Sequence, residues 1–369
     1  MISKKAKVLI ISSLGPRPYL GGIENVIDTL MNSELKLSYD FFTLDTYREP
    51  KKGRSLFSKV FFALSLPFVC VLKILKTKPD IVHIHFCSRT DFWKHAICLF
   101  TCKLMRVKVI FHLHGGSFDT VYEQYPEPLK LVVRWVLSSP DVLIALSSYW
   151  DGFLKEITSN VSILVAPNPI DCNKLGSYAN HSANEIELSV VLIGCVGERK
   201  GHFDVVKAAE MVIDKYPKAH FYFAGNDEVA GATDKLKLLA KQKCVNDNIH
   251  FLGPVFGEEK LKLLGESGVM ILPSYAENMP ISVLEGMAAN KTVITTKVGA
   301  IPEVIVDHES GILIEAGDWE SLANSIMFLF ENPHKAFEIG ENAGLRVREN
   351  WDVSRIAKNF DSIYQGLLK

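Results

Sequence analysis

The sequence predicts an α/β protein of two doubly wound domains in tandem. Three observations carry this prediction. Short β-branched runs alternate with helical stretches through the first half: strands at Lys7–Ser12, Ile81–His85, Val107–His112 and Val142–Leu146, helices at Gly22–Asn32 and Phe92–Met105. The strands are continuously apolar, as in a parallel sheet covered on both faces. After a small, polar stretch, Leu175–Glu185, the alternation starts again. At 369 residues, 48% of them hydrophobic, the chain is too long for one undivided core and too apolar for global disorder.

The second half reads Ser189–Ile193 strand, Phe203–Tyr216 helix, His220–Ala224 strand and Thr233–Lys243 helix. Ile249–Leu252, Gly268–Leu272 and Thr292–Thr295 continue the strands, and Trp351–Leu368 reads as an amphipathic terminal helix. The expected division is residues 1–174, a linker at 175–186, a second domain at 187–350 and a terminal helix at 351–369. Ligands of such sheets bind outside the carboxyl ends of the strands, here expected to face a cleft between the domains.

The formal charge is -1, which gives no global signal for nucleic acid. It hides an asymmetry: residues 1–180 hold 22 Lys+Arg against 15 Asp+Glu, and the remainder 19 against 27. A basic first half suits an anionic lipid surface or a phosphate-bearing substrate. The seven cysteines are irregularly spaced without a C-x-x-C, which argues for reduced thiols and a cytoplasmic setting. MISKKAKVLIIS superficially resembles a signal peptide, but its apolar run is short and Gly15-Pro16-Arg17-Pro18 follows at once. The longest apolar stretch, Val60–Leu72, has 13 residues and contains Pro67, short of the roughly 20 that span a bilayer. Lys51, Lys52, Arg54 and Lys59 precede it and Lys73, Lys76 and Lys78 follow, so it reads as a core helix or as one lying in a membrane interface.

Four motifs carry chemistry. In PSYAENMPISVLEGMAA, Glu277 and Glu285 stand with seven residues between them, Glu277 in a loop and Glu285 on the helix that Pro280 opens. Backbone amides of Asn278, Met279 and the first turn suit an anion or a hydroxyl. Spacing alone leaves open a paired-carboxylate glycosidase or a solvated helix face. In IGCVGERKGH a strand enters a glycine turn with Arg199 and Lys200 before a helix, a cradle for phosphate or a solvated turn. Neither a Walker A nor a G-x-G-x-x-G is present, so a nicotinamide enzyme is not indicated. In GPRPYLGGIE, Gly21 and Gly22 permit close backbone approach to a ligand. Fourth, His112 and His114 share one side of a strand, as do His83 and His85 on the strand before it. They read as metal ligands, core or capping histidines, or ligand contacts; no carboxylate or cysteine completes a metal spacing. There is no D-x-D, so a nucleoside diphosphate would be met by Lys, Arg and helix N-termini rather than by a divalent metal.

Together these motifs resemble glycosyltransferase family 4, retaining sugar-nucleotide transferases of the GT-B fold. LGGIENV resembles the family's N-terminal glycine loop, PDIVHIH and HLHG its acceptor-domain strands, APNPID its P-N-G-[IV]-D closing turn, GERKG its phosphate turn, PSYAENMPISVLEGMAANKTVI its E-x7-E signature, and GAIPEVIVDHESGILI the segment after it. The resemblance implies roles residue by residue. Glu277 and His114 would act on the donor sugar, with Asn278, Met279 and Pro280 beneath it. Arg199, Lys200 and Gly22 would meet the diphosphate, and Glu285 the ribose. It implies no metal and no cofactor and a UDP- or GDP-linked sugar as donor; with the basic, apolar-flanked first domain, the expected acceptor is a lipid-linked glycan at the inner-leaflet membrane surface. Three departures stand out: Cys195 where the family often has Arg, E-N-M-P for E-G-F-P, and P-N-P for P-N-G. Alternative readings are a non-catalytic glycan-binding or scaffold protein, and another GT-B enzyme such as a phosphorylase or nucleotide-sugar epimerase.

Overall fold

The computed structural model describes residues 5–15, 21–48, 56–178 and 186–369, with backbone alone at Leu56, Phe57, Lys59 and Val60. Residues 16–20 of the glycine loop, the cations Lys51, Lys52 and Arg54, and residues 179–185 of the expected linker lie outside the described residues. The chain forms two compact units, Met1–Pro169 with Val353–Lys369, and Ile170–Asp352.

Unit 1 runs β1 (Ala6–Ser12), α1 (Gly22–Asn32), β2 (Tyr39–Asp45), α2 (Leu56–Thr77), β3 (Ile81–Phe86), α3 (Thr90–Leu104), β4 (Lys108–Leu113), α4 (Phe118–Glu123), α5 (Glu127–Leu137), β5 (Val142–Ala145), α6 (Ser148–Ile157) and β6 (Ser162–Val165). The sheet is parallel, in the order β2-β1-β3-β4-β5-β6. Strand alternation sorts the side chains. Val82, Ile84 and Phe86 of β3 and Val109, Phe111 and Leu113 of β4 enter the core shared with α2, α3, α5 and α6. His83, His85 and His112 therefore take the opposite face.

In unit 2 the chain runs α7 (Cys172–Gly176), β7 (Ser189–Ile193), α8 (His202–Lys215), β8 (His220–Ala224), α9 (Ala232–Gln242), β9 (Ile249–Gly253), α10 (Gly257–Glu266), β10 (Val269–Leu272), α11 (Ile281–Ala288), β11 (Thr292–Thr296), α12 (Ile301–Val304), β12 (Ile312–Ile314), α13 (Trp319–Glu331) and α14 (Pro333–Asn350). Its parallel sheet has the order β12-β11-β10-β7-β8-β9. The chain order reverses between β7 and β10, so the loops that leave these two adjacent strands are where such sheets take ligands.

The last helix, α15 (Val353–Leu368), belongs to unit 1. It buries Ile356, Ala357, Phe360, Ile363 and Tyr364, and Tyr39 donates to Asp361 at 2.7 Å. The unit division falls between Pro169 and Ile170, ahead of the boundary expected at 174. The reason is local: the Ile170 N–H donates to Trp351 O at 2.9 Å, and α7, capped by the Asp171 side chain, packs on α11 and α14.

The apolar run Val60–Leu72 lies within α2, a 22-residue helix that keeps Pro67 inside it. Leu66, Cys70 and Ile74 are buried, whereas Phe61, Leu64, Phe68, Leu72 and Leu75 are exposed. Among the described residues no helix is long and apolar enough to cross a membrane.

Candidate functional site

Unit 2 builds its site from the loops that follow β7 and β10. The β7 loop carries Arg199 and Lys200, and the β10 loop carries Glu277. Two hydrogen bonds to backbone oxygens join them: the Tyr275 N–H donates to Arg199 O at 2.8 Å, and Arg199 Nη1 to Ala276 O at 3.4 Å. Gly201 makes the approach possible. Its φ is +77°, and a Cβ there would stand 2.1 Å from Pro273 O.

Lys200 Nζ lies 2.5 Å from Glu277 Oε1. Glu277 is 7% exposed. Arg199 Nη1 stands 3.9 Å from the same oxygen, while its Nε binds Glu228 at 2.5 Å. Burial works to lower the Arg199 pKa; the charges of Glu277 and Glu228 outweigh it and hold the guanidinium above its ordinary value. Glu285, on α11, is also buried, and pairs with Lys260 of α10 at 2.5 Å. Each signature carboxylate thus has its own lysine.

Asn278 and Met279 are buried beside Glu277. Asn278 O accepts from the Ala300 N–H at 2.9 Å. Gly299, at φ +55°, lets that segment close against Glu277 O, 2.0 Å from where a Cβ would be. Pro280 is the N-cap of α11 rather than part of its first turn, and no side chain caps α11 or α8. Their amide ends therefore keep the partial positive charge that favours anions. Beneath the β7 loop, His202 is fully buried and accepts from the Gly197 N–H at 3.4 Å; burial pushes its pKa down to about 3. The Tyr275 hydroxyl donates to Asp204 at 2.6 Å, the bond that first raises its pKa to about 12. Cys195 is exposed.

Unit 1 places His114 at the end of β4. Its Nε2 lies 2.9 Å from His85 Nδ1, and His83 Nε2 lies 3.2 Å from His112 Nδ1. Burial pushes His83 and His114 down to about 3, and His85 and His112 well below the usual histidine value. Asp91 lies nearby, its carboxylate accepting from the Cys87 N–H at 2.8 Å and Ser13 at 2.9 Å and pairing with Lys94 at 3.0 Å. Burial would raise its pKa, but His95, Lys94 and the amide outweigh it and hold it well below the carboxylate range. Gly22 is the exposed first residue of α1, whose Glu24 reaches back to the Gly21 N–H. Nitrogens of His83, His85 and His112 lie within 4.8 Å of one another, the grouping among the described residues that could hold a metal.

The structure thus joins Arg199, Lys200 and Glu277 directly. Sequence reasoning missed Glu228, Lys260, Tyr275, Asp204 and Asp91. Lys260 stands 25 residues from its partner, and no spacing signals such a pair.

Two family profiles match in tandem: Glycosyltransferase Family 4 over residues 20–174 and Glycosyl transferases group 1 over residues 179–346. N-acetyl-alpha-D-glucosaminyl L-malate synthase of Bacillus anthracis is 27% identical over 300 residues, 79% of this chain and 75% of that one. The lipopolysaccharide core biosynthesis mannosyltransferase LpcC of Rhizobium leguminosarum is 28% identical over 248 residues, 64% and 67% of the two chains. Among solved structures, Anabaena HepE in complex with UDP-glucose superposes with a TM-score of 0.74 at 16% identity, over 98% of this chain and 99% of that one. With its two parallel six-stranded sheets, its E-x7-E loop and its tandem profile matches, the chain belongs to the family 4 (group 1) glycosyltransferases of the GT-B fold.

Proposed function

We propose that this chain transfers a sugar from a UDP- or GDP-linked donor to a glycan acceptor, with retention of anomeric configuration and without a divalent metal. The observation that carries the reading is the buried Lys200–Glu277 pair at the switch point of unit 2, flanked by two helix N-termini that no side chain caps. Leaving-group departure puts negative charge on the diphosphate. Lys200, Arg199, Gly22 and the amide ends of α8 and α11 meet it with preorganised positive charge. Glu277 supports the oxocarbenium-like sugar, aided by His114 and the backbone of Asn278, Met279 and Pro280, while Glu285 takes the ribose hydroxyls. The UDP-glucose held by HepE supports a nucleotide-sugar donor.

The acceptor in this reading is a polyprenyl-diphosphate-linked saccharide of capsule, O-antigen or exopolysaccharide assembly, met at the inner face of the membrane. The lipopolysaccharide pathway of LpcC supports it. So does the surface of unit 1. The exposed apolar residues of α2 are joined by Leu104 of α3 and by Leu131 and Trp135 of α5, where Phe100 stacks on Trp135 at 4.4 Å. Lys73 and Lys76 stand on α2, which has no acidic residue. An apolar face with a basic border suits an anionic bilayer.

The test is product analysis. UDP- and GDP-sugars are incubated with polyprenyl-diphosphate-linked acceptors, and products are read by mass spectrometry and anomeric NMR. A product with the donor's anomeric configuration, abolished by Glu277→Gln, is expected. Inversion, or turnover that survives Glu277→Gln, would overturn the assignment.

A further inference from the structure

Four of the five histidines of unit 1 form two hydrogen-bonded pairs, His85–His114 at 2.9 Å and His83–His112 at 3.2 Å. Burial keeps all four rings neutral near pH 7. A neutral imidazole has one N–H and one bare nitrogen, so each pair has one donor and one acceptor, in one of two senses.

The outer nitrogens decide the sense. His85 Nε2 and His112 Nε2 are buried and meet no hydrogen-bond partner. If His85 accepted from His114, its own proton would sit on Nε2 as a buried, unpaired N–H, a donor stripped of water with no acceptor in its place. The His83 ring is stacked on His85 at 4.2 Å and 26°, over its face, so it offers no acceptor in the ring plane. The opposite sense leaves only a bare nitrogen unpaired. His112 follows the same logic: its Nδ1–H donates to His83 Nε2, and the His83 Nδ1–H is then free to donate to the Tyr364 hydroxyl at 2.9 Å. One polarity runs through both pairs.

We infer that His85 is a positioning residue: its Nδ1–H donates to His114 Nε2, fixes the His114 ring, and leaves His114 with its proton on Nδ1. His114 then meets a ligand as a hydrogen-bond donor. It can hold an electron-rich oxygen, a sugar hydroxyl or a phosphate oxygen, and it does not serve as a proton acceptor. The catalytic consequence rests on the proposed role of His114; the tautomer itself does not.

The first arm of the test is spectroscopic. Long-range ¹H–¹⁵N correlation on the full chain labelled at histidine, assigned with His114→Gln, reads the tautomer directly. Protonated Nδ1 and bare Nε2 at both His85 and His114 are expected; a protonated Nε2 at His114 overturns the inference. Metal analysis belongs to the same arm, because stoichiometric zinc retained by the purified chain would mean that these nitrogens are ligands, and would overturn it too. The second arm is kinetic. His85→Phe removes the donor, whereas His85→Asn keeps an N–H near the position of Nδ1. The expected result is a fall in kcat of roughly 10–100-fold for His85→Phe with donor KM little changed, and substantial rescue in His85→Asn. If His114→Ala is inactive but His85→Phe is fully active, the positioning role is overturned. Full activity of His114→Ala would instead remove the proposed role of His114, and the tautomer would still be decided by NMR. Should His85→Phe fail to fold, His85→Asn and the spectra carry the test.

Discussion

Removing Lys200 leaves the Glu277 carboxylate buried beside a weaker partner. The ammonium lies 2.5 Å from Oε1, with side-chain exposures of 12% and 8%. Breaking a buried ion pair by deleting one member costs about 3–5 kcal/mol. Arg199 Nη1 stays 3.9 Å from the same oxygen and compensates part of the loss, so Lys200→Met costs about 2–3 kcal/mol, at or just below the foot of that range. Glu277→Gln keeps an acceptor for Lys200 and costs about 1–2 kcal/mol. The double variant removes both charges, and its cost falls short of the summed single costs by about 1–2 kcal/mol. Differential scanning calorimetry reads this on the transition of unit 2. For a unit of this size 1 kcal/mol corresponds to about 2–4 °C, so Lys200→Met lowers that transition by about 4–12 °C. A shift below about 1 °C, or strictly additive single and double variants, would show that Lys200 and Glu277 are solvated and uncoupled.

Further expectations concern both units. Burial holds His83 and His114 down to about 3 in the folded chain, against about 6.5 when unfolded, so the unfolded chain binds more protons between those values. Their contribution is complete above about pH 6.5 and is lost as pH falls toward 3. For these two histidines the slope approaches about 2.7 kcal/mol per pH unit within that window, and a unit 1 melting temperature unchanged between pH 7 and 5 would contradict it. Gly201→Ala places a methyl against Pro273 O at positive φ, and costs about 2–4 kcal/mol together with donor binding; a variant of wild-type stability would mean that the two loops do not depend on this contact. Glu285→Ala weakens nucleotide binding by roughly 10–100-fold in calorimetric titration, and an unchanged affinity would remove Glu285 from the ribose.

The central strands were legible because they are buried on both faces and so read as apolar runs. Ser189–Ile193 and His220–Ala224 were read with the bounds they have. Three strands went unread: Tyr39–Asp45, Ser162–Val165 and Ile312–Ile314. All three are edge strands, with one neighbour, shorter or partly exposed, and without a strong period. In the site, the two loops could be read because β7 and β10 emit them at the switch point with recognisable glycine and carboxylate spacing. The partners could not. Lys260 reaches Glu285 from another helix, and His85 meets His114 across adjacent strands in a pairing that depends on register. Sequence also left open whether the Val60–Leu72 helix is core or surface. The structure makes it both, one face buried and the other apolar and exposed, because a helix on the outside of a sheet can bury only one stripe.

The most direct measurement is calorimetric titration of the purified chain with UDP- and GDP-sugars, with and without EDTA, for the parent and for Lys200→Met. Binding to one nucleotide family, indifference to EDTA, and an affinity loss of roughly 10–150-fold in the variant, the worth of a charge-assisted hydrogen bond, are expected. Binding that EDTA abolishes, or that Lys200→Met leaves intact, would contradict a metal-independent diphosphate site built on Lys200 and Glu277.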